Sequence, residues 1–174
     1  METDRELISA IGQGDDQAFG LLYQRYGTRL YRYALSLVRC QATAEDVIHD
    51  VFLNLISWTS AQRIPENVPA FLYAAVRNRC YDLLKRPGAV AIESLDPELL
   101  FSTPDDLERI EKQSMINKAL FSLPPEQREV LVLKIWHGLE FKEIASLQQV
   151  PLSTALSRYQ YALEHLRKAL GCDE

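Results

Sequence analysis

Apolar residues recur at spacings of three and four along most of this chain, and no stretch alternates apolar with polar residues as a half-buried strand would. Residues 16–39 set Phe19, Leu22, Tyr23, Tyr26, Leu30, Tyr33, Ala34 and Leu37 on one stripe and predict a long amphipathic helix. A second helix is expected from Thr43, as N-cap with Asp46 as its capping acid, through Val47, Val51, Phe52, Leu55 and Ile56 to the neighbourhood of Trp58. After a loop over 59–69 that holds Pro65 and Pro69, a third helix is predicted over 70–85. It turns Phe71, Leu72, Ala75, Val76, Cys80, Leu83 and Leu84 inward, and Pro87-Gly88 ends it. The second half opens with a helix over 104–120. Another begins at the prolines 124 and 125, where a missing N–H costs nothing in the first turn, and runs through Val130, Leu131, Leu133 and Ile135 to a break at His137-Gly138. Two further helices, 141–148 and 153–170, are separated by the turn Gln149-Val150-Pro151-Leu152. The fold class expected is all-α, with two helical domains over 1–90 and 113–174.

Charge separates those domains. The formal net charge is −5, yet residues 1–90 hold ten Lys/Arg against ten Asp/Glu, and residues 113–174 hold seven against seven. The deficit lies in residues 91–112, with two basic against seven acidic residues. Two prolines and no sustained period mark that stretch as an acidic linker running into the next helix. Its apolar residues Leu95, Leu99, Leu100 and Phe101 suit docking on a partner or domain as well as a free tether.

Composition removes several function classes. Apolar runs such as 71–76 fall far short of the roughly 18 residues of a membrane span, and the start Met1-Glu2-Thr3-Asp4 lacks the basic and apolar regions of a signal peptide, so the expected location is the cytoplasm. Three widely spaced cysteines fit neither a disulfide framework nor a structural zinc site, and are expected as reduced thiols, two of them in helix cores. His49, His137 and His165 have no ligand spacing, and neither a Gly-rich phosphate loop nor a nucleophile motif occurs. No metal, cofactor, small-molecule substrate or enzymatic activity is expected.

The pattern short helix, tight turn, longer helix over 141–170 has the layout of a helix-turn-helix, with Ile144, Ala145 and Val150 at its apolar contacts. Ser153 as N-cap of the second helix would present Thr154, Leu156, Ser157 and Gln160 to a major groove. An ordinary helical hairpin satisfies the same periodicity.

The run 123–131 (Leu-Pro-Pro-Glu-Gln-Arg-Glu-Val-Leu), followed by 138–145 (Gly-Leu-Glu-Phe-Lys-Glu-Ile-Ala) and 153–158 (Ser-Thr-Ala-Leu-Ser-Arg), closely resembles region 4 of bacterial sigma factors. Residues 44–53 (Ala-Glu-Asp-Val-Ile-His-Asp-Val-Phe-Leu) and 71–86 (Phe-Leu-Tyr-Ala-Ala-Val-Arg-Asn-Arg-Cys-Tyr-Asp-Leu-Leu-Lys-Arg) resemble region 2. Two such domains in this order are similar to the minimal extracytoplasmic-function (ECF) group. The resemblance implies an initiation subunit that binds core RNA polymerase at the β′ clamp helices and β flap, binds promoter DNA, and is sequestered by an anti-sigma factor. It assigns polymerase binding to Asp46, His49 and Asp50, a polar stripe at i, i+3 and i+4. It assigns the minus-ten element to Arg77, Asn78, Arg79, Lys85 and Arg86 together with the loop 59–69, and the minus-thirty-five element to Ser153, Thr154, Leu156, Ser157, Arg158, Gln160 and Tyr161. Trp58 and Phe71, beside that loop, read equally well as core. A helix-turn-helix regulator with a ligand-sensing domain, or a sigma-like adaptor without promoter selection, are the alternatives. The recognition helix departs from the family: Leu156, Gln160, Tyr161, Leu163 and Glu164 stand where basic residues are frequent, and the turn has Gln148-Gln149 in place of the usual glycine. Weak upstream binding with a shallow salt dependence is therefore expected.

Overall fold

A computed structural model describes residues 3–59, 64–86 and 107–171, and every regular element among them is helical. The chain divides into two compact units, residues 1–93 and 94–174.

The first unit holds α1 (Asp4–Gly12), α2 (Asp16–Val38), α3 (Gln41–Thr59) and α4 (Val68–Leu84). α1 precedes the first helix that the apolar spacing predicts, at residue 16, and is an addition to that expectation. Thr3 and Glu6 cap its start reciprocally: the Glu6 N–H donates to the Thr3 hydroxyl at 3.3 Å and the Thr3 N–H donates to the Glu6 carboxylate at 2.6 Å. Leu7, Ile8 and Ile11 then enter the core. The Asp4 carboxylate accepts from both Arg25 and the Tyr26 hydroxyl of α2. Burial first, and the hydrogen bond to Asp4 second, push the Tyr26 phenol well above its ordinary value. At the other end of α1, a Cβ on Gly12 would stand 2.7 Å from the Thr59 carbonyl oxygen, so this helix seats directly on the end of α3.

Arg39 turns the chain from α2 into α3 in the left-handed region at φ 56°, with its N–H on the Leu35 carbonyl at 2.9 Å. The new helix starts at once, since the Ala44 N–H already bonds the Cys40 carbonyl at 2.9 Å. Thr43 therefore lies inside the first turn instead of at an N-cap, and Asp46 is an exposed helical residue instead of a capping acid. α4 also begins earlier than expected. The Asn67 side chain accepts from the Ala70 N–H at 2.9 Å, which draws Val68 and Pro69 out of the loop and into the first turn. Leu22, Leu30, Tyr33, Val47, Phe52, Leu55, Leu72 and Val76 form the core. Cys40 is buried in the α2–α3 turn and Cys80 within α4.

The second unit holds α5 (Leu107–Ser122), α6 (Pro125–Leu131), a π-helical turn (Val132–Trp136), α7 (Phe141–Gln148) and α8 (Leu152–Ala169). The widened turn after α6 shifts the side-chain register, so Ile135, expected inward, is 49% exposed. Gly138 at φ 69° then reverses the chain, as a residue without Cβ does freely, and the Leu139 N–H closes the end on the Leu133 carbonyl at 3.1 Å. Leu120, Leu123, Leu131 and Ala162 form a core against which Trp136, Tyr159, Leu163 and Leu166 pack.

The residues expected at 91–106 of the linker, at 60–63 of the loop, at the Pro87-Gly88 stop and at Cys172 lie outside the described residues.

Candidate nucleic-acid interface

α3 exposes Asp46 and His49 and leaves Asp50 half-buried, as a polar stripe opposite the core requires. On α4, Asn78 is exposed and Arg77 and Arg79 are half-buried; Lys85 and Arg86, expected on the same helix, are exposed just past its end at Leu84. The Arg77 guanidinium lies over the Tyr81 ring, 4.4 Å from its centroid. Arg79 donates to one Asp50 oxygen through both Nε (2.9 Å) and a terminal nitrogen (2.6 Å). A residue expected to face polymerase and one expected to face DNA thus clasp each other, a link between two helices that spacing alone does not reveal. Trp58 and Phe71 are half-buried and packed together, ring centroids 4.7 Å apart, which supports a packing role at the mouth of the loop.

α2 and α3 also enclose a groove of about 620 Å³ lined by Phe19, Tyr23, Tyr31, His49, Phe52 and Leu53 among others. Tyr23 packs on Phe52 at 4.9 Å between centroids and remains 47% exposed. Burial, and after it the Glu45 carboxylate, raise the Tyr31 phenol on this wall.

In the second unit, α7 and α8 meet across a left-handed Gln149 at φ 55°. The Val150 N–H bonds the Ala145 carbonyl at 3.0 Å, so Gln149 performs the turn for which the family uses glycine, at a backbone cost of roughly 1–2 kcal/mol. Ile144 and Ala145 are buried at the crossing as expected, and Val150 is partly buried. Gln148, which the sequence marks only as half of a turn without glycine, is the hub of the module. Its amide donates to the Glu129 carboxylate at 2.7 Å and to the Glu126 carbonyl at 3.0 Å, and its oxygen accepts from Arg158 at 2.7 Å. A buried glutamine cannot be told from a tolerated surface one by spacing, which is why the sequence did not mark it.

α8 begins at Leu152, not Ser153. Pro151, preset at φ −59°, offers its carbonyl to the N–H groups of Thr154 (3.0 Å) and Ala155 (3.2 Å), and no side chain caps the helix. Ser153, expected as N-cap, is instead an exposed residue of the first turn, beside Leu152 and one turn before Leu156. Leu156, Gln160 and Tyr161 are exposed and Thr154, Ser157 and Arg158 partly so. Ser157 donates its hydroxyl to the Thr154 carbonyl at 3.0 Å, and Lys168 pairs with Glu164 at 2.9 Å, which holds the Glu164 carboxyl below its ordinary value.

Two sequence families meet on this arrangement. The family model described as Sigma-70 region 2 matches residues 22–89, and that of Sigma-70 region 4 matches residues 113–166. The chain belongs to the ECF group of bacterial RNA polymerase sigma factors. The ECF RNA polymerase sigma factor SigM of Mycobacterium tuberculosis is 29% identical over 97% of this chain and 85% of its own length. The RNA polymerase sigma-H factor of Pseudomonas aeruginosa is 25% identical over 97% of this chain and 94% of its own. Among solved structures, CnrH in complex with the cytosolic domain of CnrY shares the fold, with a TM-score of 0.72 at 22% identity over 99% of this chain and 100% of that one. The sigma factor RpoE in complex with the anti-sigma factor NepR from Bartonella quintana has a TM-score of 0.67 at 25% identity over 83% of this chain and 91% of that one.

As a sigma factor, the protein associates with core RNA polymerase and directs initiation at particular promoters. Its two helical modules correspond to regions 2 and 4, in that order along the chain. Among the described residues of this sigma factor, no helix is long and apolar enough to cross a membrane.

Proposed function

We propose that residues 1–90 bind core polymerase and the minus-ten element, that residues 113–174 bind the minus-thirty-five element, and that residues 91–112 connect them. Asp46 and His49 meet the β′ clamp helices from the outer face of α3, with Asp50 held beside them by Arg79. Asn78, Arg77 and Arg79 on α4, with Lys85 and Arg86 just past its end, engage the minus-ten DNA. Asparagine there supplies a donor and an acceptor for base edges, and the cations supply attraction to phosphate. The second unit contacts the β flap and lays α8 in the major groove through Ser153, Thr154, Leu156, Ser157, Arg158, Gln160 and Tyr161. The mechanism is binding and capture of unpaired bases. The protein acts in the cytoplasm, where an anti-sigma factor holds it inactive. The similar RpoE fold solved with NepR supports that last element.

The observation that carries this reading is the face formed by α3 and α4, where an exposed acidic and histidine stripe and an exposed Asn-Lys-Arg surface are joined through one ion pair. Run-off transcription from a genomic library by purified core polymerase, with and without this protein, tests it. New transcripts with common upstream sequences are expected, and an unchanged transcript set would overturn it. On the upstream element, the cations of α8 are Arg158, Arg167 and Lys168. The salt slope contributed there is accordingly no steeper than about −2.7, at −0.9 per phosphate neutralised.

A further inference from the structure

We infer that α8 reads thymine methyl groups through Leu152 and Leu156, so that the upstream element is selected for T·A pairs rather than for guanines. This rests on the reading of α8 as the promoter-facing helix of the second unit, and it goes further by naming what that helix recognises. Leu152 occupies the first position of α8 and Leu156 lies one turn on, so the two side chains share one side of the helix in the half that a helix-turn-helix inserts into the groove. They are 39% and 38% exposed, while Ala155 and Ala162 on the packed side are fully buried.

The polar inventory of the same half points the same way. Guanine is read in the major groove by Arg or Lys, adenine by Asn or Gln, and the thymine methyl by apolar side chains. α8 carries no Lys or Arg before Arg158, which is only partly exposed and commits one guanidinium nitrogen to Gln148 at 2.7 Å. Ser157 turns its hydroxyl to the Thr154 carbonyl. What remains exposed on the leading half is Leu152, Ser153, Leu156 and Gln160, two apolar contacts with a hydroxyl and an amide. That set matches a T·A-rich step and offers nothing bidentate to guanine.

Holoenzyme assembled from core polymerase and the full chain would select promoters from a library randomised upstream of the minus-ten element. The winning upstream element would then be rebuilt with deoxyuridine for thymine, which removes only the 5-methyl group and leaves the protein untouched. We expect thymines at neighbouring positions of the selected element, and about a fourfold weaker promoter complex for each contacted methyl removed. Holoenzyme carrying Leu156→Ala should bind the thymine element more weakly and lose the thymine–uracil difference at one position. A guanine-rich element indifferent to uracil, or a Leu156→Ala variant that keeps the full thymine–uracil difference, would overturn the inference while leaving the sigma reading intact. So would promoter binding unaffected by Leu156→Ala together with loss of a protein partner, which would make the leucine face a protein-docking surface. No promoter selection at all would overturn both.

Discussion

Replacing Gln148 by Met keeps the side-chain volume nearly constant and removes the three side-chain hydrogen bonds described above. Two of those bonds engage a charged group, the Glu129 carboxylate and the Arg158 guanidinium, and one is to a backbone carbonyl. Bonds to charged groups contribute about 1.5–3 kcal/mol each and neutral ones about 0.5–1.5 kcal/mol. Members of one network are not additive, and Arg158 is partly solvated, so a net loss of about 2–4 kcal/mol is expected. A unit of this size is stable by only about 4–12 kcal/mol, which makes the loss a large share of the whole. Because the chain has two units, a single melting temperature would blur the effect, whereas amide hydrogen exchange resolves it by element. Exchange in α7 and α8 should accelerate roughly thirty- to nine-hundred-fold, at 1.36 kcal/mol per decade, with α2–α4 unchanged. Rates within about threefold of the wild type in α7 and α8 would refute the assignment of Gln148 as hub, since a change that small corresponds to less than one ordinary hydrogen bond. Gln148→Glu sharpens the test, because it sets a carboxylate where the amide nitrogen stood 2.7 Å from Glu129. That variant should be worse than Gln148→Met at neutral pH and recover on acidification, as one of the two carboxyls takes up a proton.

Gly12→Ala should destabilise the first unit by about 1–3 kcal/mol in denaturant titration, because the new methyl meets the Thr59 carbonyl and the backbone must shift. Gly20→Ala, in the second turn of α2 with open space around it, should instead stabilise by about 0.5–1 kcal/mol. The Asp50–Arg79 pair is roughly one-third exposed on each side, so a double-mutant cycle with Asp50→Asn and Arg79→Met should yield a coupling of only about 0.2–1 kcal/mol. A coupling near zero would make the contact incidental. The Thr3 backbone hydrogen bond holds the Glu6 carboxyl below its ordinary value. Its contribution to α1 is present above the unfolded glutamate value and declines as pH falls through the lowered one, so protection of the α1 amides should drop over that acid window, and should drop by less in Glu6→Gln.

The helices that bury wide apolar stripes were legible in the sequence, and those set by short-range turn chemistry were less so. α2 follows from Leu22, Leu30, Tyr33 and Leu37, because a stripe that long admits one periodicity. The start of α3 was misplaced because Thr43 and Asp46 have the spacing of a cap, while the actual start depends on Arg39 adopting a left-handed conformation that its residue type disfavours. Gln149 repeats that situation in the helix-turn-helix. Ser153 was likewise outcompeted by Pro151, whose fixed geometry starts α8 one residue earlier. The short α1 was legible in principle from Thr3 and Glu6 followed by Leu7, Ile8 and Ile11, a capping box before an apolar stripe. The candidate interface residues lie on the helices expected of them except Lys85 and Arg86, which follow the end of α4 at Leu84. Their pairings, Asp50 with Arg79 and Arg158 with Gln148, were invisible, because residues distant in sequence declare no contact through periodicity.

The placement of α1 bears on how fragments of this sigma factor behave. The segment recognisable as region 2 begins at residue 22, after all of α1 and the first turns of α2. Yet α1 is fastened at one end by Asp4 to Arg25 and Tyr26 and at the other by Gly12 against Thr59, and it covers its neighbours with Leu7, Ile8 and Ile11. A chain trimmed to the recognisable segment would uncover that apolar surface and become sticky, and false positives in pull-down or two-hybrid screens are the natural result. The limits by which relatives are recognised are narrower than those within which the polypeptide is cooperative, and a fragment meant to report authentic partners has to reach back to Thr3.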